Sequence, residues 1–474
     1  MTGAARKRRK ALVFIDYDML VRHFVNARAF ADLEKSWDVK YVFHTDSTSQ
    51  KQGIFADVDA LGLADYAKFD LPRRRMGEWD WLYSVTVLHN HRDAPHFKLR
   101  RELMADARGW RLTYQFQAMA HPWVYPLARR ILMSRMGVYK PLDDFIAAER
   151  PDAIFHPSIL AGYFINELNL ICPARGIPLV VMMNSWDNPA NKSMNTGIPD
   201  RLVVWGPQTK RHAVEYMKMP ADRVLEFGAA QFQVYRQTPD VGEAELRRRF
   251  AVPDGIPIVL YAGVSKSVNE TDHLLALDRA ISEGRIPRCH IVYRPHPWRG
   301  PLVSGERDFF DVPYAHVTMD PHMADFYRRA AAGKTKGFEL SDYSVTAHLL
   351  RLVKGVVSPL STMLLEGAMH GVPVVMFWPD GPAGIVGKTI DIGTRLPHFA
   401  EFWGCDGIQV CTRAEALAES CKLMLTAHQS DAVRKALQAH ARGYVVMDGP
   451  SYSERLALLA DEIVDAFEKK RIAA

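Results

Sequence analysis

Gly355-Val356-Val357-Ser358-Pro359-Leu360-Ser361-Thr362-Met363-Leu364-Leu365-Glu366-Gly367-Ala368-Met369-His370-Gly371-Val372-Pro373-Val374-Val375 is the stretch that decides the fold. It reads as a β-branched strand, a tight polar turn, a short helix, a Gly-Val-Pro turn and a second strand. Ser361 or Thr362 is placed to cap the helix, which leaves backbone N–H groups facing the strand end. Such a terminus suits phosphate or diphosphate. Leu364, Leu365 and Ala368 share one helical face and would pack on a sheet. Glu366 lies off that face, and the capping-box position after either cap holds Leu, so capping does not account for the carboxylate. One turn from a phosphate site, it could accept hydrogen bonds from two ribose hydroxyls. A solvated glutamate on a packed helix is the ordinary alternative.

Outward from this unit the same pattern recurs. Strand candidates are Leu12–Ile15, Tyr41–Phe43, Ala153–His156, Leu179–Met183, Leu202–Trp205, Ile258–Tyr261, His290–Tyr293, Gly355–Val357 and Val374–Trp378. Most are continuous apolar runs, as in strands buried on both faces of a parallel sheet. The intervals between them are long enough for helical crossovers. The expected fold class is α/β, with two doubly wound Rossmann-like domains. A linker at Gln237–Gly242, a charged helix at Glu243–Phe250 and a turn at Val252–Pro257 put the boundary between them near residue 236. The N-terminal domain is then 1–236 and the C-terminal one 237–449. Such sheets bind ligands at the carboxyl ends of their strands, so two facing across a cleft would bind between them.

Two further strand ends in the C-terminal half carry polar groups. His290-Ile291-Val292-Tyr293-Arg294-Pro295-His296-Pro297 presents Arg294 and His296 on a loop stiffened by two prolines. Arg suits bidentate phosphate contact, and His can donate to phosphate or move a proton. Tyr261-Ala262-Gly263-Val264-Ser265-Lys266 is a third crossing, with a glycine that permits close backbone approach and Ser265 beyond it. A lone Arg or His past a strand is more often structural, but three polar ends in one sheet indicate a nucleotide-diphosphate pocket.

Composition excludes several classes. The 474 residues are enough for two or three domains, and 48% hydrophobic with 24% charged residues excludes a disordered chain or a small disulfide scaffold. A net charge of +6 is too small for a dedicated nucleic-acid binder, so no nucleic-acid partner is expected. Basic residues cluster at Arg6-Lys7-Arg8-Arg9-Lys10, Arg73-Arg74-Arg75 and Arg247-Arg248-Arg249. Solvated surface is their ordinary use, and contact with an anionic membrane surface is the functional one, above all for residues 6–10. Five cysteines without Cys-x-x-Cys spacing indicate neither zinc nor disulfides. Asp16 and Asp18 cut the apolar run after residue 10 too short for a signal peptide, and no run is long enough to span a membrane. The expected location is cytoplasmic, at most peripheral at the inner face of the membrane.

The C-terminal half resembles the donor-binding domain of GT-B glycosyltransferases, most of all CDP-glycerol glycerophosphotransferase-like and capsule-polysaccharide enzymes. Arg294-Pro295-His296-Pro297, the segment from Ser358 through Ser361-Thr362 to Glu366 with Gly371-Val372-Pro373, and Asp448-Gly449-Pro450-Ser451-Tyr452-Ser453-Glu454-Arg455 carry the likeness. The resemblance implies a donor diphosphate at the helix N-terminus, ribose on Glu366, and phosphate contact from His296. It also implies a final helix, within residues 450–474 and here Leu456–Phe467, that crosses back onto the first domain. Glycerophosphotransferases usually show Thr-Asp-Tyr-Ser-Ser where this chain has Ser358-Pro359-Leu360-Ser361-Thr362, so a nucleotide-sugar donor is expected over CDP-glycerol.

The N-terminal half points to an acceptor wall. Asn184-Ser185-Trp186-Asp187-Asn188-Pro189 follows a strand, and Asp187 could deprotonate an acceptor hydroxyl or simply cap a turn. His23, about two turns past the first strand, is the other base candidate, with a core or surface histidine as the plain alternative. The segment from Ser185 through Val204-Trp205-Gly206 to Phe227-Gly228-Ala229-Ala230-Gln231-Phe232 resembles the first domain of bacterial GT-B transferases. Trp79, Trp81, Trp110, Trp123 and Tyr125 are core aromatics by default and sugar-stacking groups otherwise. Asp16-Tyr17-Asp18 mimics a phosphatase or metal-dependent motif, and Gly381 to Thr389 nearly spells a P-loop but has the wrong spacing. A flexible loop beside the nucleotide is expected there.

The expected activity is transfer of a sugar or polyol phosphate from a nucleotide-activated donor to a glycan or lipid-linked glycan acceptor. No cofactor and no obligatory metal is expected. The alternatives are a nucleotide-sugar epimerase and a non-catalytic nucleotide-sugar or glycan-binding relative.

Overall fold

The computed structural model describes residues 8–44, 55–159, 164–193, 195–237, 241–264, 269–296, 308–334, 341–378 and 396–473. Ser265 and residues 381–389 lie outside them. The chain forms two units, one of residues 1–233 with 444–474 and one of residues 234–443.

Unit 1 is built on β1 (Arg9–Ile15), β2 (Trp37–His44), β3 (Tyr66–Phe69), β4 (Ala153–His156), β5 (Leu179–Met182), β6 (Arg201–Val204) and β7 (Val224–Glu226). The sheet order is β3-β2-β1-β4-β5-β6-β7, and each pairing is parallel. Unit 2 holds β8 (Ile258–Ala262), β9 (His290–Arg294), β10 (Val317–Met319), β11 (Gly355–Ser358), β12 (Val374–Phe377) and β13 (Ile408–Cys411). Their order is β10-β9-β8-β11-β12-β13, again parallel. Both sheets are doubly wound, so strand order reverses between β1 and β4 and between β8 and β11. These are the points at which such sheets open a crevice at their carboxyl edge.

The opening stretch forms the expected unit. Its helix, Met363–Met369, buries Leu364, Leu365 and Ala368 against the sheet. A Cβ on Gly367 would meet Val374 Cγ1 at 2.8 Å, so glycine is what allows the helix to lie this close to β11 and β12.

One feature of unit 1 was not legible as an element. Between β3 and β4 the chain inserts helices Arg73–Asn90, Phe97–Arg108, Trp110–Met119, Tyr125–Met136 and Lys140–Glu149. The insertion has a small core of its own around Val85, Leu88, Met104 and Phe116. Arg75 ties it to the rest of the unit: its guanidinium pairs with the fully buried Glu167 and donates to the Met136 carbonyl at 2.6 Å. The Trp79 indole donates to the same carboxylate at 2.8 Å.

The C-terminal segment also belongs to this unit. Helix Tyr452–Ala473 buries Tyr452, Leu456, Leu459, Ala460, Ile463 and Val464 in the core that includes Phe24, Phe30 and Trp37. The lead-in runs across two glycines. A Cβ on Gly206 would lie 2.7 Å from the Tyr444 carbonyl oxygen, and one on Gly228 would lie 2.2 Å from that of Val446. The Trp205-Gly206 and Phe227-Gly228 pairs in the sequence thus mark the track of the returning chain.

The basic clusters are largely paired with carboxylates of their own unit. Arg8 pairs with Asp38, Arg9 with Asp461 and Glu468, and Lys10 with Glu149, because residues 9 and 10 open a buried strand. Arg74 pairs with Glu78, Arg75 with Glu167, and Arg247 with Glu243. Arg6 and Lys7 lie outside the described residues. Among the described residues no helix is long and apolar enough to cross a membrane.

Candidate functional site

In unit 2 the polar strand ends converge on the β8/β11 switch point. Ser358 at the end of β11 is fully buried and donates from Oγ to the Ala262 carbonyl at 2.6 Å, bridging the two strands. The next residue, Gly263, donates its N–H to the Arg294 carbonyl at 2.9 Å, so β9 closes on the same point. The space beside Gly263 is filled from within. A Cβ there would fall 2.4 Å from an oxygen of Glu270, a fully buried carboxylate that accepts from Val264 N–H at 2.7 Å and the Tyr293 hydroxyl at 2.6 Å. The close approach that this glycine permits is therefore made by a side chain of the protein.

Arg294 is buried with its guanidinium held by Asp320, at 2.8 Å from Nε and 2.6 Å from NH2. Its NH1 donates to the Thr346 hydroxyl at 2.9 Å. This ion pair orients the loop that carries His296, which is partly exposed. Ser361, and not Thr362, does the capping: its Oγ accepts from Met363 N–H at 3.2 Å, while Thr362 already has helical dihedrals. Glu366 is buried, not solvated, and its Oε2 accepts the Tyr235 hydroxyl proton. The Tyr235 ring sits edge-on to His370 at 4.7 Å. Burial pushes the His370 imidazole down to about 4.

In unit 1 a second polar cluster occupies the β1/β4 switch point. Asp16 and His156, both fully buried, meet at 3.0 Å between Oδ2 and Nε2. His156 Nδ1 lies 2.6 Å from the Ser158 carbonyl oxygen. A carbonyl oxygen only accepts, so the contact to Ser158 is a hydrogen bond donated by Nδ1. The network runs on: Asn184 Nδ2 donates to the Tyr17 hydroxyl at 2.9 Å, and Tyr17 and Ser158 oxygens lie 3.4 Å apart. His23 joins it at the Asn184 backbone, and burial drives its imidazole down to about 3. A base so depressed is a weak proton acceptor near neutral pH.

Asp187 lies three residues beyond Asn184. It pairs with Lys192 at 2.6 Å and accepts from Ser185 Oγ at 2.8 Å. Its side chain keeps 13% exposure, in contrast to the enclosed Asp16. The loop from Asn188 to Lys192 is a π-turn, a form frequent at functional sites, and the half-buried Arg100 pins it by donating to the Asn191 carbonyl.

Sequence reading missed Asp16 and His156 as a pair. Each stood in plain view at the end of a strand, but their partnership depends on β1 lying next to β4. It also missed Glu270, because a glutamate at a helix start reads as an ordinary first-turn acid. Among the described residues, no three His, Cys, Asp or Glu side chains converge as metal ligands.

No protein-family model matches the chain, and neither does any curated protein. Solved structures do match its fold. The chain is similar to the UDP-GlcNAc 2-epimerase from Neisseria meningitidis bound to UDP-GlcNAc, with TM-score 0.51, 11% identity, and coverage of 97% of this chain and 100% of that one. It is similar to Arabidopsis thaliana UGT89C1 complexed with quercetin, with TM-score 0.50, 13% identity, and coverage of 97% and 100%. The wall teichoic acid polymerase TagF matches with TM-score 0.50, 11% identity, and coverage of 96% and 89%. At such identity the likeness establishes architecture: an α/β fold of the GT-B type.

Proposed function

We propose that the chain is a GT-B glycosyltransferase that takes a nucleotide-sugar donor on unit 2 and its acceptor on unit 1. The observation that carries this reading is the convergence of Ser358, Arg294 and the Ser361-capped turn at the β8/β11 switch point, with the buried Glu366 carboxylate one turn on. Glu366 is the ribose ligand in this reading, its carboxylate accepting from a hydroxyl, that of Tyr235, as it would from ribose. Ser361, Thr362 and His296 contact the diphosphate in this reading; Ser265, expected beside them, lies outside the described residues. Ser358 and Arg294 act by position, since both are engaged within the protein. Donors fixed before the reaction stabilise the charge that develops on the leaving diphosphate.

Asp187 is the better-placed acceptor base, being the part-exposed carboxylate of the two original candidates, while His23 supports its loop. The fold is shared with epimerases, which act on a nucleotide-sugar alone.

Melting temperature against UDP, CDP, GDP, ADP and TDP tests the donor site. A ligand at 100 times its dissociation constant adds about 2.7 kcal/mol, a rise of roughly 5 °C in wild type. The same nucleotide should leave Glu366→Gln unshifted. With the matching nucleotide-sugar and acceptor, Asp187→Asn should lose roughly 100-fold in turnover or more while keeping that shift. A chain that no nucleotide stabilises has no donor site, and turnover of donor without acceptor identifies an epimerase. Activity that survives EDTA is expected, and its loss would make the metal-independent part of the proposal wrong.

A further inference from the structure

The helical insertion of unit 1 carries apolar groups that the fold leaves uncovered. Trp123 is 89% exposed and Leu127 61%, and Trp110, Tyr114, Val124 and Ile131 are exposed with them. They are not scattered. Trp123 and Val124 form the turn between helices Trp110–Met119 and Tyr125–Met136, and Leu127 and Ile131 follow at i+3 and i+7 from Val124. That second helix fully buries none of its residues. It keeps residues 128, 129, 132, 133 and 136 partly covered and leaves 126, 127, 130, 131, 134 and 135 exposed. On the first helix, Trp110 and Tyr114 pack along one exposed face with ring centroids 5.6 Å apart and planes tilted by 32°.

Charge on the same segment is one-sided. Residues 97–136 hold eight Lys and Arg against Glu102 and Asp106, an excess as large as the +6 of the whole chain. Part of it serves the fold: Arg108 pairs with Asp80, and Arg129 donates to the Thr196 carbonyl. Lys98, Arg111, Arg130 and Arg135 are exposed and pair with no carboxylate among the described residues. Arg101 lies over the Trp110 ring at 5.8 Å.

We infer that this hairpin docks the protein on the surface of an anionic lipid bilayer. A tryptophan-tipped turn flanked by leucine, isoleucine and unpaired arginine fits the headgroup boundary, where amphipathic rings and cations are both favoured. Neither half of the feature alone makes the assignment. Apolar exposure without charge would suit a second copy of the chain, and charge without exposed tryptophan would suit any polyanion. The docking face is distinct from the N-terminal basic run, whose residues 8–10 are paired inside unit 1, and it does not depend on the transferase reading.

The test is co-flotation of the full chain with vesicles of phosphatidylcholine alone and of phosphatidylcholine with 30% phosphatidylglycerol. Binding should require the anionic lipid and weaken with salt. Each arginine near such a surface is worth about fivefold in partition, so Arg111→Gln/Arg130→Gln/Arg135→Gln should bind roughly 100-fold more weakly. Trp123→Ser/Leu127→Ser should lose roughly tenfold. All five side chains are substantially exposed, so the variants should melt as wild type does. A chain lacking residues 2–7 should bind unchanged. Equal binding to neutral vesicles, loss of binding in the residue 2–7 deletion, or retention in both hairpin variants would overturn the assignment. So would sedimentation showing that the hairpin is covered by a second copy in solution.

Discussion

Burial holds the His23 imidazole neutral, and that has a consequence in acid. Its folded pKa of about 3 lies below the unfolded value near 6.5, so the unfolded chain takes up the proton first. Stability is therefore lost as pH falls below 6.5, by about 2 kcal/mol from this one group at pH 5. Urea unfolding of wild type and His23→Asn at pH 7.5 and pH 5 should show the variant less sensitive by that amount; equal sensitivity would mean that His23 is solvated. At this scale the sequence names residues but not partners. Arg294 and Glu366 were legible as the right chemical types at strand and helix ends. Their engagement was not, because Asp320 and Thr346 lie 26 and 52 positions from Arg294, and Tyr235 lies 131 from Glu366. Pairing over such separations is decided by strand order, which no local pattern records.

Elements were legible in proportion to how deeply they are buried. All nine strands expected from apolar runs are present, and the four that were not foreseen, β3, β7, β10 and β13, are the edges of the two sheets. An edge strand is half exposed, so it needs no continuous apolar run. Tyr66–Phe69 has no fully buried residue, and Ile408–Cys411 has one. The helical insertion was missed for a related reason, since its helices share a small core and leave much apolar surface outside. A buried ion pair fastens it to the rest of the unit, beside the bonds from Arg100 and Arg129 to the Asn191 and Thr196 carbonyls. Glu167→Ala would leave the Arg75 guanidinium and the Trp79 N–H without their shared carboxylate, a loss of about 3–5 kcal/mol. Urea unfolding followed by tryptophan fluorescence reads this directly, and a loss below about 1 kcal/mol would show that the pair does not anchor the insertion.

The C-terminal return is a property of unit 1 as a whole, and it rests on two glycines more than 200 residues upstream. Gly228 has φ +85° and faces the Val446 carbonyl, so Gly228→Ala meets both backbone strain and overlap. The expected loss is about 2–4 kcal/mol, with faster proteolysis near residues 446–450. Gly176, at φ +64° with open space around it, is the control, and Gly176→Ala should lose only about 1–2 kcal/mol. Equal effects at both would remove the close approach as the cause. By itself, the sequence determined the fold class, the nine inner strands and the strand–turn–helix at residues 355–375, because apolar period, caps and turn residues act locally. Tertiary structure alone decided that Asp16 meets His156, that Glu270 fills the space beside Gly263, that residues 8–10 find carboxylate partners, and that the 97–136 helices keep their tryptophans and several of their arginines outside. Each of these depends on which strands become neighbours and which faces remain uncovered, and that choice is made only when the whole unit packs.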